Sequence, residues 1–119
     1  MSVKVLIAND SLVMRKALRS FLESPTEILL VGEADNLTEA IRQSEQLHPD
    51  VIVLDLHLSE QSKDPMHLKS SLNGAKLLAI TFAADEVSKA LAKAIGAEKL
   101  VDKSNIVEEL VPAILGLTS

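Results

Sequence analysis

The chain contains no cysteine, tryptophan or tyrosine, and aromatic residues make up only 2% of its 119 residues. Without cysteine it can form neither disulfides nor thiolate metal sites, so nothing points to an oxidising compartment and we expect a cytoplasmic protein. With so few aromatic residues, the core must be built from valine, isoleucine, leucine and alanine. That composition is typical of a parallel sheet covered by helices.

Basic clusters and long apolar runs are also missing. The net charge is −5 and lysine and arginine do not cluster. Because phosphate contacts need concentrated positive charge, we expect no nucleic-acid surface on this chain. No stretch approaches the ~18 apolar residues of a membrane span, and the N-terminus lacks the pattern of a signal peptide. We therefore expect a soluble protein away from the membrane and, from its length, a single domain over residues 1–119.

The clearest strand signal is the run Val51–Leu54, which is apolar and mostly β-branched. Such runs are typical of strands buried on both faces of a parallel sheet. The run ends at Asp55. Because ligands bind beyond the carboxyl ends of the strands in open α/β sheets, Asp55 is the first candidate for chemistry.

The rest of the chain alternates between strand and helix patterns. Apolar runs predict further strands at residues 3–8, 28–31, 76–80 and 100–101. Apolar residues at helical spacing predict helices over residues 12–23, from Asn36 to 47, 65–72, from Asp85 to 95, and from Ser104 or Asn105 onwards. Residues 56–64 are expected to form a polar, irregular loop. Five strands alternating with five helices predict an α/β fold, a doubly wound (βα)5 three-layer sandwich with a five-stranded parallel sheet.

Individual residues indicate where these strands and helices end, bend or pack. Gly32 is expected either to end the second strand or to mark the close approach of a neighbour. Gly96 suits the left-handed cap after the fourth helix. Pro112 is expected to kink the last helix or to move its start, because it removes a backbone donor. The predicted buried stripe of the fourth helix is Val87, Ala90, Leu91, Ala94 and Ile95.

Polar residues stand where the predicted strands end. They are Asn9, Asp10, Asp55, Thr81 and Lys103. Each one alone has an ordinary explanation, as a helix cap, a loop aspartate, a β-forming residue or a solvated charge. Because the carboxyl ends of parallel strands share one edge of the sheet, together they predict a single site.

This combination of groups suits phosphoryl transfer. Two converging carboxylates repel each other, and Mg²⁺ relieves the repulsion through oxygen ligands while leaving positions for phosphate oxygens. A carboxylate can then attack phosphorus to form an acyl phosphate if a metal and an ammonium neutralise the charge on the phosphoryl oxygens. Lys103 supplies an ammonium, and Thr81 supplies a hydroxyl that can bond the phosphate and report it to the next helix.

Five sequence segments carry a resemblance to a known family. They are VLIANDS at 5–11 with Met14-Arg15, PDVIVLD at 49–55, LAIT at 78–81, Gly96-Ala97 and Lys103-Ser104. In this order and spacing the chain resembles the receiver domains of two-component response regulators from end to end. The resemblance implies a chemotaxis-regulator-like fold with the flavodoxin-like strand order 2-1-3-4-5. Segment 31–34 is most similar to receivers that precede a helix-turn-helix output domain.

The resemblance also implies roles for the strand-end residues. Asp55 would accept a phosphoryl group from a sensor histidine kinase or a phosphotransfer protein. Mg²⁺ would be bound by Asp10, Asp55, the backbone carbonyl of His57 and, weakly, Asn9. Thr81 would be the switch hydroxyl and Lys103 the phosphate partner. Phosphorylation would change a protein contact or a homodimer through helix 4, strand 5 and helix 5, or through helices 1 and 5.

The chain departs from the family pattern at several positions. Asn9 stands where the family has a second acidic residue, which weakens Mg²⁺ binding unless the amide oxygen substitutes. Phe82 replaces a small residue and is expected to narrow access to Asp55, and Leu100 replaces the switch aromatic. Ser104 replaces a proline, and the loop after the acceptor lacks the usual proline and Asp-Gly pair.

These departures leave an alternative open, a degenerate receiver that acts as a binding module without phosphorylation. Other functions fit less well. An aspartyl-phosphate phosphatase would need a carboxylate where His57 stands, and a nucleotide-binding enzyme would need a glycine-rich loop after the first strand. His57 and His67 are expected to be surface side chains rather than metal ligands.

Overall fold

A computed structural model describes residues 2–118 of the chain, so Met1 and Ser119 of the predicted domain lie outside the described residues. The strands are β1 Val3–Ala8, β2 Ile28–Ala34, β3 Val51–Asp55, β4 Lys76–Thr81 and β5 Lys99–Asp102. The α-helices are α1 Leu12–Glu23, α2 Leu37–Leu47, α3 Leu68–Ser71, α4 Glu86–Ala94 and α5 Ile106–Thr118. Short 3₁₀ helices cover Leu56–Gln61, Pro65–His67 and Lys103–Asn105. None of the helices in residues 2–118 is both long and apolar enough to cross a membrane.

The five strands form one parallel sheet in the order β2-β1-β3-β4-β5, which confirms the predicted fold class and strand order. Successive residues of the central strand β3 point to opposite faces. Ile52 and Leu54 belong to a core cluster with residues of α2, α3 and α4, whereas Val51 and Val53 belong to a second cluster with residues of α1 and α5. The sheet is therefore covered on both sides, as predicted.

The predicted helix starts are confirmed at three caps. The side chains of Ser11, Asn36 and Asp85 accept hydrogen bonds from the backbone N–H three residues ahead, at 3.1, 2.8 and 2.8 Å. Gly96 adopts a left-handed conformation with φ +82° just after α4, as expected of a helix C-terminus. The three N-terminal caps Ser11, Asn36 and Asp85 satisfy backbone donors that a helix leaves unpaired at its first turn.

Strand β2 is longer than predicted and continues through Gly32 to Ala34. Gly32 marks the close approach of a neighbour instead, because a Cβ atom there would lie 2.5 Å from Gln43 Oε1 and 3.0 Å from Leu47 Cδ1. The expectation of a strand end at Gly32 is wrong, and that of a close approach is confirmed.

The segment after Asp55 differs most from the prediction. Residues Leu56–Gln61 form a 3₁₀ helix in which Leu56, Leu58 and Ser59 are buried. The prediction of a polar, irregular loop is wrong, because the two leucines pack into the core while Ser59 Oγ donates to the Leu56 carbonyl at 2.6 Å. The third helix is also shorter than predicted, with a 3₁₀ turn at Pro65–His67 before α3.

The buried stripe of α4 is only partly as predicted. Ile95 is buried and Leu91 packs against the core, but Val87 is 78% exposed and Ala90 and Ala94 face solvent. The helix turns Ala92 inward instead, since positions 88, 91, 92 and 95 share one face at helical spacing.

Helix α5 runs through the exposed Pro112, so the proline does not move the start of the helix. The predicted opening at Ser104 or Asn105 corresponds to the 3₁₀ turn Lys103–Asn105, which leads directly into α5.

Candidate functional site

A cleft of ≈ 550 Å³ opens at the carboxyl edge of the sheet. The structure brings together in this cleft most of the residues singled out in the sequence: Asn9, Asp10, Asp55, His57, Thr81, Phe82 and Lys103. Leu100 lies elsewhere, where it packs against the core cluster beside α4. The five polar residues at the ends of β1, β3, β4 and β5 therefore share one site, because these four strands are parallel and end at the same edge.

The carboxylate of Asp55 lies at the end of β3 and is only 6% exposed. Its Oδ2 atom accepts hydrogen bonds from Lys103 Nζ at 2.5 Å and from Asn9 Nδ2 at 3.1 Å. Its Oδ1 atom accepts one from the backbone N–H of His57 at 3.0 Å. A buried carboxylate is tolerated when it is paired and hydrogen-bonded in this way.

The ammonium of Lys103 is enclosed between two partners. Its side chain is 9% exposed, and its Nζ atom lies 4.3 Å from the centroid of the Phe82 ring. Phe82 is itself 76% exposed, so a nearly buried ammonium lies against the ring of an exposed residue. A cation over an aromatic face is attracted by the ring quadrupole, so Phe82 helps to hold Lys103 at Asp55.

The turn that presents Lys103 is fixed by its neighbours. The backbone N–H and the hydroxyl of Ser104 donate to Asp102 Oδ1 at 2.9 and 2.8 Å. The backbone hydrogen bond, followed by the hydroxyl, lowers the pKa of the Asp102 carboxyl. A proline at position 104 would supply neither donor, so this departure from the family pattern gives the turn an additional cap.

Asn9 is buried at the end of β1 with 1% exposure. While its amide nitrogen faces Asp55, its Oδ1 atom accepts a hydrogen bond from the backbone N–H of Ser11 at 2.8 Å. The carbonyl of Asn9 accepts from Arg15 Nη1 at 2.6 Å, and Arg15 Nε lies 3.5 Å from Glu33 Oε1. No role for Arg15 and Glu33 could be predicted from the sequence, because a guanidinium that bonds a backbone carbonyl leaves no signature in the residue pattern.

Asp10, His57 and Thr81 also line the cleft, and among the hydrogen bonds of residues 2–118 none joins their side chains to Asp55. Asp10 is exposed beside Asn9, and Thr81 Oγ1 accepts from the backbone N–H of Ala83 at 3.3 Å. The side chains of His57 and His67 are exposed and lie near Glu60 and Asp64, which confirms them as surface side chains.

The oxygen donors of the cleft fit a magnesium ion. Asp10 and Asp55 bring two carboxylates to the lining of the cleft, whereas residues 2–118 contain no cluster of three or more acidic or histidine side chains that could hold a metal. Magnesium is commonly held by one or two carboxylates and keeps waters or phosphate oxygens as its other ligands. The cleft therefore suits such an ion and gives little support to a fully protein-ligated one.

Comparison with known proteins gives a consistent result. Residues 5–115 match the model of the response regulator receiver domain family. A protein-glutamate methylesterase/protein-glutamine glutaminase 1 of Methanosarcina mazei is 32% identical over 136 aligned positions, which cover 97% of this chain and 38% of that protein. The transcriptional regulatory protein YdfI of Bacillus subtilis is 41% identical over 59 residues, 50% of this chain and 28% of that protein. The matched regions thus cover well under half the length of these two relatives.

Solved structures agree on the fold. The response regulator domain of CheB from Thermotoga maritima superposes with a TM-score of 0.86 at 21% identity, covering 100% of this chain and 98% of that one. A LuxR-family two-component response regulator from Aurantimonas sp. SI85-9A1 superposes with a TM-score of 0.86 at 26% identity, covering 99% of this chain and 86% of that one.

Proposed function

Since the chain belongs to the response regulator receiver domain family, whose members accept a phosphoryl group, we propose that Asp55 is the residue that accepts it here. The observation that carries the proposal is the carboxylate of Asp55, buried at the end of β3 with Lys103 Nζ 2.5 Å away. Asp10 is exposed and lacks such an ammonium partner among its described contacts, so it suits a metal ligand better than a phosphoryl acceptor. Nothing in the comparisons favours the alternative of a degenerate, phosphorylation-independent module.

The proposed transfer uses the residues around Asp55 as follows. An oxygen of Asp55 forms a bond to phosphorus while the bond from phosphorus to the donor's nitrogen breaks and its electron pair leaves with that nitrogen. Lys103 donates to the phosphoryl oxygens from its position at the carboxylate, and the Thr81 hydroxyl becomes their second donor. Because Thr81 ends β4 and Lys103 directly follows the neighbouring strand β5, both groups lie at the site before the phosphoryl group arrives.

We propose that Asp10, Asp55 and the backbone carbonyl of His57 hold the magnesium ion. When bound, the ion neutralises charge on the phosphoryl oxygens. Asn9 adds no negative charge to this set, so we propose weaker magnesium binding than a site with three carboxylates would give.

The phosphodonor we propose is a sensor histidine kinase or a phosphotransfer protein, the partners with which receiver domains interact. We propose that the chain forms one domain, works in the cytoplasm, and catalyses only its own phosphorylation and dephosphorylation. Any effector activity then resides in another segment or partner.

Phosphorylation is proposed to change a protein contact, either on the face of α4, β5 and α5 or in a homodimer that uses this face or α1 and α5. We propose no binding of nucleic acid or membrane by this chain.

Intact-mass spectrometry tests the phosphoryl acceptance. The folded chain is incubated with phosphoramidate and Mg²⁺, beside an Asp55→Asn variant and an Asp64→Asn variant that removes an exposed carboxylate outside the cleft. We expect one added phosphoryl group in the wild type and in Asp64→Asn, and none in Asp55→Asn or when EDTA replaces Mg²⁺. An adduct that persists in Asp55→Asn, or none in any folded sample, would contradict the proposal.

A further inference from the structure

The side-chain amide of Asn9 is held at both ends. Its Nδ2 atom donates to Asp55 Oδ2 at 3.1 Å, and its Oδ1 atom accepts from the backbone N–H of Ser11 at 2.8 Å. A backbone N–H can only donate and an ionised carboxylate can only accept, so both contacts require the same orientation of the amide. Turning the amide over would place oxygen against oxygen and N–H against N–H.

The backbone of Asn9 is fixed as well. Its N–H donates to the Ala34 carbonyl at 2.9 Å across the β1–β2 pair, and its carbonyl accepts from Arg15 Nη1 at 2.6 Å. The side chain is 1% exposed, which leaves it little room to swing towards the cleft. The position of the amide is therefore set by four hydrogen bonds from three parts of the chain.

We propose that Asn9 is a positioning residue for Asp55: its amide nitrogen holds the acceptor carboxylate, and its amide oxygen is committed to Ser11 and is not a magnesium ligand. The proposal rests on Asp55 as the phosphoryl acceptor. It replaces the expectation that the amide oxygen substitutes for a missing carboxylate. The protein ligands of the ion are then limited to Asp10, Asp55 and the His57 carbonyl.

The amide also changes how Asp55 is held before an ion binds. A carboxylate at position 9 would repel Asp55 and need a cation to relieve the repulsion. A neutral donor attracts it instead, and together with Lys103 it fixes the carboxylate in one orientation. An acceptor that is already oriented needs less reorganisation before it meets phosphorus.

Magnesium binding distinguishes a positioning residue from a ligand. The Kd of magnesium is measured by NMR titration of backbone amide signals in the wild type, Asn9→Ala and Asn36→Ala. Asn36→Ala is the matched control, because it removes an Asn Oδ1 hydrogen bond of the same 2.8 Å length at the start of α2, outside the cleft. We expect all three values to agree within about threefold, since Asn9 gives the ion no ligand. A tenfold weaker Kd in Asn9→Ala alone would overturn the proposal.

Rates at saturating Mg²⁺ test the positioning itself. We expect Asn9→Ala to form the phosphoramidate adduct about tenfold more slowly than the wild type and Asn36→Ala, the effect of one lost hydrogen bond. An unchanged rate would contradict the positioning role. A wild type that forms no adduct would refute the acceptor role of Asp55, whereas the magnesium titration would still decide whether Asn9 is a ligand.

The variant Asn9→Asp provides a test that does not depend on whether Asn9→Ala folds. It keeps an oxygen for the Ser11 N–H but turns a second carboxylate towards Asp55. We expect a lower urea midpoint than the wild type in EDTA, recovery on adding Mg²⁺, and a magnesium Kd at least about tenfold tighter. Equal midpoints in EDTA would show that the wild-type amide does not donate to Asp55.

Discussion

The Phe82 ring centroid lies 4.3 Å from Lys103 Nζ, so an exposed aromatic side chain covers a nearly buried ammonium. Such a contact is worth about 0.5–1 kcal/mol at an exposed site and about 2 kcal/mol when the cation is desolvated. Any movement of the Lys103 ammonium away from the ring changes the electrostatic environment of Phe82. The departure from a small residue at position 82 thus gives the chain an aromatic group that reports on its site.

Fluorine NMR can follow this contact, because Phe21 and Phe82 are the two phenylalanines of the chain. In protein labelled with 4-fluorophenylalanine, we expect the Phe82 signal to shift when a phosphoryl group on Asp55 draws the ammonium towards its oxygens. The chemical shift of Phe21 should not change, because this side chain packs against the core cluster that contains residues of α1 and α5. The variant Phe82→Leu assigns the two signals.

The unphosphorylated protein provides the control for this experiment. Substituting Lys103→Met removes the cation, so the Phe82 signal should shift without any phosphodonor while that of Phe21 does not. A Phe82 signal unaffected by Lys103→Met would show that the ring and the ammonium are not in contact in solution.

The ion pair between Asp55 and Lys103 should couple the two residues in folding. Lys103→Met leaves a buried carboxylate without its ammonium, and we expect the free energy of unfolding to fall by roughly 3 kcal/mol. In the double variant with Asp55→Asn the uncompensated charge is gone, so part of this loss should be regained. Urea unfolding of the wild type, both single variants and the double variant measures the coupling; strictly additive effects would mean that the pair is not formed in solution.

Substitutions of two glycines by alanine should have opposite effects on stability. At Gly32 the new methyl group would meet Gln43 Oε1 and Leu47 Cδ1, while Gln43 Nε2 is held by the Glu33 carbonyl at 2.7 Å. We expect Gly32→Ala to lower the free energy of unfolding by about 1–2 kcal/mol. At Gly116, inside α5, a Cβ atom would meet nothing within 4 Å apart from its chain neighbours and the nearby backbone of its own helix. Gly116→Ala should therefore raise the free energy of unfolding by about 0.5–1 kcal/mol. Equal effects in urea unfolding would contradict this difference in packing.

Acid should weaken the start of α4. The backbone N–H of Ser88 donates to Asp85 and lowers the pKa of its carboxyl below the ordinary 3.8. A lowered folded-state pKa means that the charge stabilises the fold above the unfolded value and that this contribution is lost as the pH falls through the folded value. The stability difference between the wild type and Asp85→Asn, which keeps a cap but has no charge, should be constant near neutral pH and shrink below about pH 4. A difference independent of pH down to pH 2 would contradict the shift.

The layout of the fold could be predicted from the sequence because its signals are local. Each strand is a short apolar run, and the capping residues Ser11, Asn36 and Asp85 stand three residues before the N–H groups that they accept. The gathering of Asn9, Asp55 and Lys103 followed from topology alone, since parallel strands end at one edge.

The predictions were wrong where packing between secondary-structure elements decides which side chains are buried. The 3₁₀ helix Leu56–Gln61 begins with alternating apolar and polar residues, a pattern that also occurs in loops, and only its packing against the core decides that its leucines are buried. Helix α4 has apolar residues around much of its circumference, so periodicity alone could not select Ala92 over Val87 as the inward side chain. The orientation of the Asn9 amide depends on Ser11 and Asp55 together, which no spacing rule predicts.

The measurement that tests the central claim most directly is the location of the phosphoryl group. After reaction with phosphoramidate and Mg²⁺, sodium borohydride reduces an aspartyl phosphate to homoserine, and peptide mass spectrometry finds the altered residue. We predict homoserine at position 55 and aspartate at positions 10 and 64. Homoserine at position 10, or a phosphorylated chain with unaltered Asp55, would contradict Asp55 as the acceptor.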